Sequence, residues 1–410
     1  MEKMITIDGG VTAPKGFKAS STAAEIKYKG REDMAMICSE VPCTAAGTFT
    51  KNMVKAACVK WDREMVASGK PVQAVVINSG IANACTGEEG FRACRKTAEA
   101  VEKALGVPAD TVAVASTGVI GMQLPVDKLE KGVADMSKKL SHDAESGTMA
   151  SKAIMTTDTV NKEIAVRFTL GDREAVIGGM SKGSGMIHPN MCTMLAFLTT
   201  DADIDRELMQ KAVSEAVDES FNMITVDGDT STNDTFMLLA NGLAGNKKIV
   251  SEDEDYLSFK EALLYVCTYL AKKMAGDGEG ATKLFEAVVI NAKSKEDARK
   301  LARSIVGSNL SKAAIFGCDA NFGRFLCAMG YSGAEFDEND VELWFESSEG
   351  SLKVFEHGVP LSFDEDTALK ILKAEHVTVK VNMNEGDFPA TAWGCDLTYD
   401  YVKINADYRS

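Results

Sequence analysis

Apolar and polar residues alternate along several short runs of this chain. Ile164, Val166, Phe168 and Leu170 share one face of 163–170, Gly171-Asp172 supplies a turn, and Ala175-Val-Ile177 resumes the pattern, which predicts a hairpin. Val377, Val379 and Val381 repeat the alternation near the C-terminus, and 341–345 is a further candidate strand. Two wholly apolar runs, Ala74-Val-Val-Ile77 and Ala287-Val-Val-Ile290, each end in Asn and read as short strands. Helical segments follow them, over 88–105 and 295–306. The second opens on a capping-box-like Ser294-Lys-Glu-Asp297 and stops at Gly307. A third helix is predicted over 206–221, with Leu208, Ala212, Val213, Ala216 and Val217 on one face. Mixed elements of this kind predict α/β or α+β layers rather than a purely parallel sheet. The paired Val-Val-Ile-Asn strands suggest two related layers but are too short for an internal repeat. Domain boundaries are weakly marked, with 274–283 the most loop-like interior stretch.

At 410 residues the chain is long for one core and predicts two or three domains or subdomains. Its apolar share of 45% and charged share of 26% are those of an ordinary globular protein. A net charge of −15, with no Lys/Arg cluster standing out, argues against a nucleic-acid surface. The longest apolar stretches, such as 262–271, are too short to span a membrane, and the N-terminus carries no signal-peptide pattern. A cytoplasmic location is expected. None of the ten cysteines forms a Cys-x-x-Cys pair, and most (Cys38, Cys43, Cys58, Cys267, Cys327) sit in apolar runs as small buried hydrophobes. Four scattered histidines show no ligand spacing, so no metal site is expected.

The densest chemistry lies in Gly179-Gly-Met-Ser-Lys-Gly-Ser-Gly-Met-Ile-His-Pro-Asn-Met-Cys192-Thr193. Glycines and a proline preset a tight backbone path that leads a hydroxyl into an apolar segment. A threonine hydroxyl is a weak nucleophile unless a base activates it. Its own α-amine serves if the chain is cut just before it. One reading is therefore self-cleavage at Cys192–Thr193; the other is an ordinary glycine loop ahead of a buried strand or helix. Ala115-Ser-Thr117-Gly118 ends an apolar strand (112–114), where a hydroxyl and an N–H can converge on an oxyanion, or simply form a turn. Met155-Thr156-Thr157-Asp158-Thr159 reads alone as a capping or turn cluster. In 275–283, Glu279 stands between glycines without P-loop spacing and suits a bound amine or bulk solvent. The acidic run 225–234 lacks the closing Glu of a calcium loop and reads as a polar turn supporting a site. His188, ahead of Pro189, reads as a loop residue rather than a base.

Taken together these motifs resemble the glutamate N-acetyltransferase (ornithine acetyltransferase) family of arginine biosynthesis. The likeness runs from Gly9-Gly-Val-Thr-Ala-Pro-Lys-Gly-Phe17 through Val76-Ile-Asn-Ser-Gly-Ile-Ala-Asn-Ala-Cys-Thr-Gly87 and Lys182-Gly-Ser-Gly-Met-Ile-His-Pro-Asn-Met191. It continues through Ile224-Thr-Val-Asp-Gly-Asp-Thr-Ser-Thr-Asn-Asp234, Asp277-Gly-Glu-Gly-Ala-Thr-Lys283 and Asp319-Ala-Asn-Phe-Gly-Arg324, and ends at Tyr401-Val-Lys-Ile-Asn-Ala-Asp-Tyr-Arg-Ser410. The resemblance implies an αββα sandwich like that of N-terminal-nucleophile enzymes, with a second C-terminal α/β subdomain from about 285. It also implies self-cleavage into an α chain, 1–192, and a β chain, 193–410, assembled as a heterotetramer of two of each. Thr193 is then both cleavage residue and acetyl-accepting nucleophile, and Thr117 and Gly118 form the oxyanion hole. Thr156, Lys182, Thr193, Glu279, Asn405 and Ser410 bind substrate, with Thr157 the fallback should the Thr-Thr alignment slip by one. Two residues depart from the family pattern: Cys192 stands where Ala is usual, and Ile81 where Asn is common.

The implied reaction takes acetyl from N2-acetylornithine onto Thr193 and passes it to glutamate, in ping-pong order. No cofactor is expected, although acetyl-CoA is a possible second acetyl donor. The substrates are small amino acids. Two rivals remain: an N-terminal-nucleophile amidase or aminopeptidase using water as acceptor, and an uncleaved amino-acid-binding paralogue.

Overall fold

The computed structural model describes residues 4–188 and 194–407. The chain divides into two compact units. One is made of Met1–Gly183, Pro189–Asn222 and Thr230–Leu270, the other of Ser184–His188, Met223–Asp229 and Ala271–Ser410.

The first unit carries strands β1 (Met4–Ile7), β2 (Phe17–Thr22), β3 (Met34–Phe49), β4 (Val72–Asn78), β5 (Val112–Ser116), β6 (Lys162–Leu170), β7 (Arg173–Lys182), β8 (Leu195–Thr200) and β9 (Thr235–Ala240). Its helices are α1 (Ala57–Ser68), α2 (Gly87–Leu105), α3 (Val126–Met136), α4 (Ala144–Ala153) and α5 (Arg206–Glu219); α6 (Glu254–Gly276) contributes residues to both units. The strands pair in the order β1-β6-β7-β8-β9-β3-β4-β5, with β2 alongside β3.

Strand β3 makes this one path fold into two layers. Its first part pairs with β2 and β4, the register shifts between Cys38 and Cys43, and its last six residues pair with β9. Alternation then sorts the side chains. Ala35, Ile37, Val75, Ile77, Ala113 and Ala115 pack with Met180, Leu195, Phe197, Met237 and Leu239 in a core between the layers. Met34, Met36, Ala74, Val76 and Val112 turn the other way, onto Ala93, Ala98 and Val101 of α2 and Leu129, Val133 and Met136 of α3. On the opposite outer face Phe168 meets Phe259 of α6 at 6.2 Å, and Phe236 meets Phe221 at 5.7 Å. The unit is an αββα sandwich within a mixed α/β protein, as expected.

The second unit holds β10 (Leu284–Ala292), α7 (Lys295–Gly307), α8 (Asn309–Gly317), α9 (Phe322–Gly330), β11 (Glu342–Ser347), β12 (Gly350–Glu356), β13 (Val359–Pro360), α10 (Glu365–Leu372), β14 (His376–Asn382), β15 (Phe388–Cys395) and α11 (Tyr399–Ala406). They build a sheet of order β13-β12-β11-β14-β10-β15. The Ser294 hydroxyl accepts from the Asp297 N–H at the start of α7. Ala298, Leu301, Ala302, Ile305 and Val306 bury the helix's apolar face. The two Val-Val-Ile-Asn strands, β4 and β10, lie in different sheets, and each leads into a helix.

The predicted hairpin forms, with Leu170 opposite Arg173 and Gly171 at φ +57°. Two expectations need correction. The loop expected over 274–283 begins later, because α6 continues to Gly276. Cys327 is exposed and Cys38 only half-buried, so not every cysteine in an apolar run is interior.

One close approach tests the packing. A Cβ on Gly178 of β7 would stand 1.8 Å from the Gly10 carbonyl oxygen, a backbone atom that cannot swing aside. Gly178→Ala is expected to cost about 1–3 kcal/mol. That lowers the thermal midpoint by several degrees in a melting scan.

Candidate active site

Thr117 and Gly118 follow β5 directly. The Thr117 N–H donates to the Asn78 carbonyl at 3.0 Å, the Val119 N–H to Gly80 at 3.1 Å, and the Ala82 N–H to Val119 at 3.0 Å. Ile81 bridges both Thr117 and Val119, so the turn after β5 is stitched to the turn after β4. Gly118 takes φ +131°, and a Cβ there would lie 2.2 Å from the Gly80 carbonyl carbon. Only glycine fits this position. Both Thr117 and Gly118 are half-exposed, open to a small molecule. Asn233 braces the pair from beneath: its buried amide donates to the Ala82 carbonyl at 2.5 Å and to the Ser116 carbonyl at 2.8 Å.

Lys182 ends β7 and brings the other candidates together. Its ammonium donates to the Thr156 hydroxyl at 2.7 Å and to the Thr117 hydroxyl at 3.4 Å. Thr157 is half-buried, and it is Thr156 whose hydroxyl meets the lysine. Asp158 lies 3.7 Å from Lys182 through one carboxylate oxygen and 2.8 Å from Lys162 through the other. The side chains of Asp158 and Lys162 are fully buried, and that of Lys182 is 10% exposed. Asp158 also accepts from the N–H groups of Thr156 at 3.1 Å and Gly183 at 2.7 Å. Burial alone would push its carboxyl upward. The two lysines and the Gly183 N–H overcome that and hold it well below the usual carboxylate range.

Asp158 is thus the hub of the cluster. The sequence offered one hint of this, the four-residue spacing to Lys162, while its pairing with Lys182 joins positions far apart in the chain. Cys192 and Thr193 lie outside the described residues. Met194, next in sequence, accepts from the Thr235 N–H at 2.9 Å through its carbonyl, and Leu195 opens β8 opposite Lys182.

In the second unit, the Glu279 N–H donates to the Ser184 carbonyl at 2.9 Å. The Glu279 carboxylate, itself buried, accepts from the Asn405 amide at 2.7 Å. It leans on Gly185, where any Cβ would come within 2.3 Å of it. Glu279 and Asn405 therefore meet, while Ser410 lies outside the described residues. Asp227 of the acidic run accepts from the Met186 N–H at 2.6 Å and the Ile187 N–H at 2.9 Å, clamping the glycine loop as a supporting turn. His188 is held on both ring nitrogens, by Thr225 at 3.0 Å and Arg303 at 3.1 Å. Burial and then the neighbouring Arg303 push its pKa down. It is an anchored loop residue. No group of three His, Cys, Asp or Glu side chains suited to a metal occurs among the described residues. No helix there is long and apolar enough to cross a membrane.

Comparison with known proteins adds a lineage to this geometry. The arginine biosynthesis bifunctional protein ArgJ of Symbiobacterium thermophilum is 52% identical over 404 residues, covering 98% of this chain and 99% of that one. The protein of the same name from Bacillus subtilis is 44% identical over 409 residues, covering 100% and 98%. Among solved structures, the arginine biosynthesis bifunctional protein argJ of Bacillus halodurans aligns at 45% identity and a TM-score of 0.48, covering 51% of this chain and 96% of that chain. The ornithine acetyltransferase of Mycobacterium tuberculosis, complexed with ornithine, aligns at 42% identity and a TM-score of 0.43, covering 47% and 100%. The ArgJ family model matches residues 18–410, so this chain belongs to the ArgJ family.

Proposed function

We propose that this enzyme of arginine biosynthesis cleaves itself at Cys192–Thr193 and then moves acetyl from N2-acetylornithine to glutamate through an acetyl-Thr193 intermediate. The family match across nearly the whole chain carries the reading. In maturation the Thr193 hydroxyl attacks the Cys192 carbonyl carbon, the peptide C–N bond breaks, and the proton passes to the freed nitrogen. Water then hydrolyses the ester and leaves an α-amine on Thr193. That amine, with an ordinary pKa of about 7.7–8.0, takes the proton of its own hydroxyl in turnover.

The Thr117 hydroxyl and Gly118 N–H stabilise the tetrahedral oxyanion, a role that their half-exposed placement at the end of β5 supports. Lys182, flanked by the hydroxyls of Thr117 and Thr156, takes the substrate α-carboxylate. The resemblance to the family assigns substrate binding also to Glu279, Asn405 and Ser410, the first two already joined by a hydrogen bond. No cofactor takes part; acetyl-CoA serves as an additional donor for glutamate. The assembly is a cytoplasmic heterotetramer of two α and two β chains.

Intact mass tests the first step: chains of 192 and 218 residues are expected, and a single chain of 410 would overturn it. Thr193→Ala is expected to stay uncleaved and inactive. Acetyl transfer to glutamate, measured with acetylornithine and separately with acetyl-CoA, should exceed hydrolysis; dominant hydrolysis would favour the amidase reading. Thr117→Val, which removes the hydroxyl donor, is expected to lower kcat by about 10²–10³ with a much smaller change in KM, as loss of an oxyanion donor does.

The charge cluster makes a further prediction. Because folding lowers the Asp158 pKa, its contribution to stability is complete above the unfolded value of about 3.9 and fades as pH falls through the folded value. Asp158→Asn leaves two lysines without their shared carboxylate. It is expected to cost about 3–5 kcal/mol near neutral pH. The deficit should shrink on acidification, as urea unfolding at several pH values would read.

A further inference from the structure

Helix α11 is eight residues long and buries none of its side chains; only Tyr401 and Ile404 are half-buried. A helix this short does not hold together in water on its own, so its contacts with the rest of the second unit keep it folded and seated. Three polar ties supply them. At the start, the buried Thr398 makes no capping bond to its own helix and instead donates its hydroxyl to the Gly280 carbonyl at 2.7 Å. Gly280 takes φ +71°, and a Cβ there would lie 2.8 Å from the Tyr401 nitrogen, so this loop presses on the first turn. At the far end, the Asn405 amide donates to the Glu279 carboxylate at 2.7 Å and to the Tyr401 carbonyl at 3.0 Å. Between these, the Tyr401 hydroxyl donates to Asp227 at 3.3 Å.

The middle tie differs from the other two. Thr398 and Asn405 both reach the 279–280 loop, whereas Tyr401 reaches the segment whose Asp227 also accepts the Met186 and Ile187 N–H groups. Tyr399, 84% exposed, adds only a ring edge against Phe316. Burial, and then the Asp227 carboxylate, pushes the Tyr401 phenol up, so it keeps its proton and remains a donor. Tyr401 and Asn405 stand four residues apart on one face of the helix, so whatever seats the first also places the second.

We propose that Tyr401 is a positioning residue whose bond to Asp227 seats α11 and thereby holds the Asn405 amide against Glu279. The placing of Asn405 for substrate rests on the acetyl-exchange reading; the seating of the helix does not. Without the phenol oxygen the last turn of α11 opens more often, and Asn405 leaves Glu279 with it. Substrate then meets a site that is formed only part of the time, and its apparent affinity falls by that fraction. The chemical step is unchanged once substrate is bound.

Tyr401→Phe in the full-length protein tests this, because the ring stays and only the hydroxyl is lost. Amide hydrogen exchange over 399–406 is expected to become several-fold faster, with the melting temperature at the parent value. KM for acetylornithine and for glutamate should each rise about threefold or more, with kcat within about twofold. In an Asn405→Ala background, Tyr401→Phe should raise KM no further, because both changes then act through the same amide. Unchanged exchange in Tyr401→Phe, or a fall in kcat with KM unmoved, would overturn the inference. If Asn405→Ala alone keeps the parent KM, the family-derived binding role of Asn405 fails, and the exchange result by itself decides whether Tyr401 seats the helix.

Discussion

A carboxylate buried between two ammonium groups fixes the geometry of the cluster around Lys182. Asp158 gives one oxygen to Lys162 and the other to Lys182, and both oxygens also accept backbone N–H groups. Burying such a set is costly unless every charge is paired and hydrogen-bonded, and here both requirements are met. The consequence is positional. Lys182 stands at the last rung of β7, opposite Leu195, and its ammonium is drawn towards Asp158 while it also donates to the hydroxyls of Thr156 and Thr117. Three chain segments distant in sequence are thereby gathered around one ammonium group.

The strands were legible wherever a residue alternation met a two-layer environment. β6 and β7 could be read because Ile164, Val166, Phe168 and Leu170 keep strict period two and Gly171-Asp172 closes the turn. β3 escaped notice although it is 16 residues long, since Ala, Ser, Thr, Cys and Gly dominate it and blur the contrast between faces. Its small residues are what a strand shared by two layers requires, because both faces are crowded. The far end of α6 was mistaken for loop because Gly276 and the glycines after it dominate the local pattern, while packing keeps Met274 and Ala275 buried in helix.

Polar residues were harder to read than apolar ones, for a reason common to all of them. Asp158 looked like a turn or cap residue because propensity is local, whereas its partners Lys182 and Gly183 are brought to it by sheet pairing. By contrast the turn at Thr117 and Gly118 could be read from sequence, since a strand end followed by Thr-Gly already specifies one. What sequence could not give was the reason for the glycine: the Gly80 backbone lies where a Cβ would be.

The charge of the Asp158 cluster also bears on how one enzyme can serve two unlike amino acids. Asp158 meets both lysines, and it is Lys182, not the fully enclosed Lys162, that retains some exposure. Acetylornithine and glutamate differ in side-chain charge but share an α-carboxylate. Under the proposed function Lys182 would take that shared group from either molecule. Asp158 then acts on substrate only through Lys182: in the proposed exchange it holds the one part-exposed ammonium at a fixed place, for the acetyl donor first and for the acceptor afterwards.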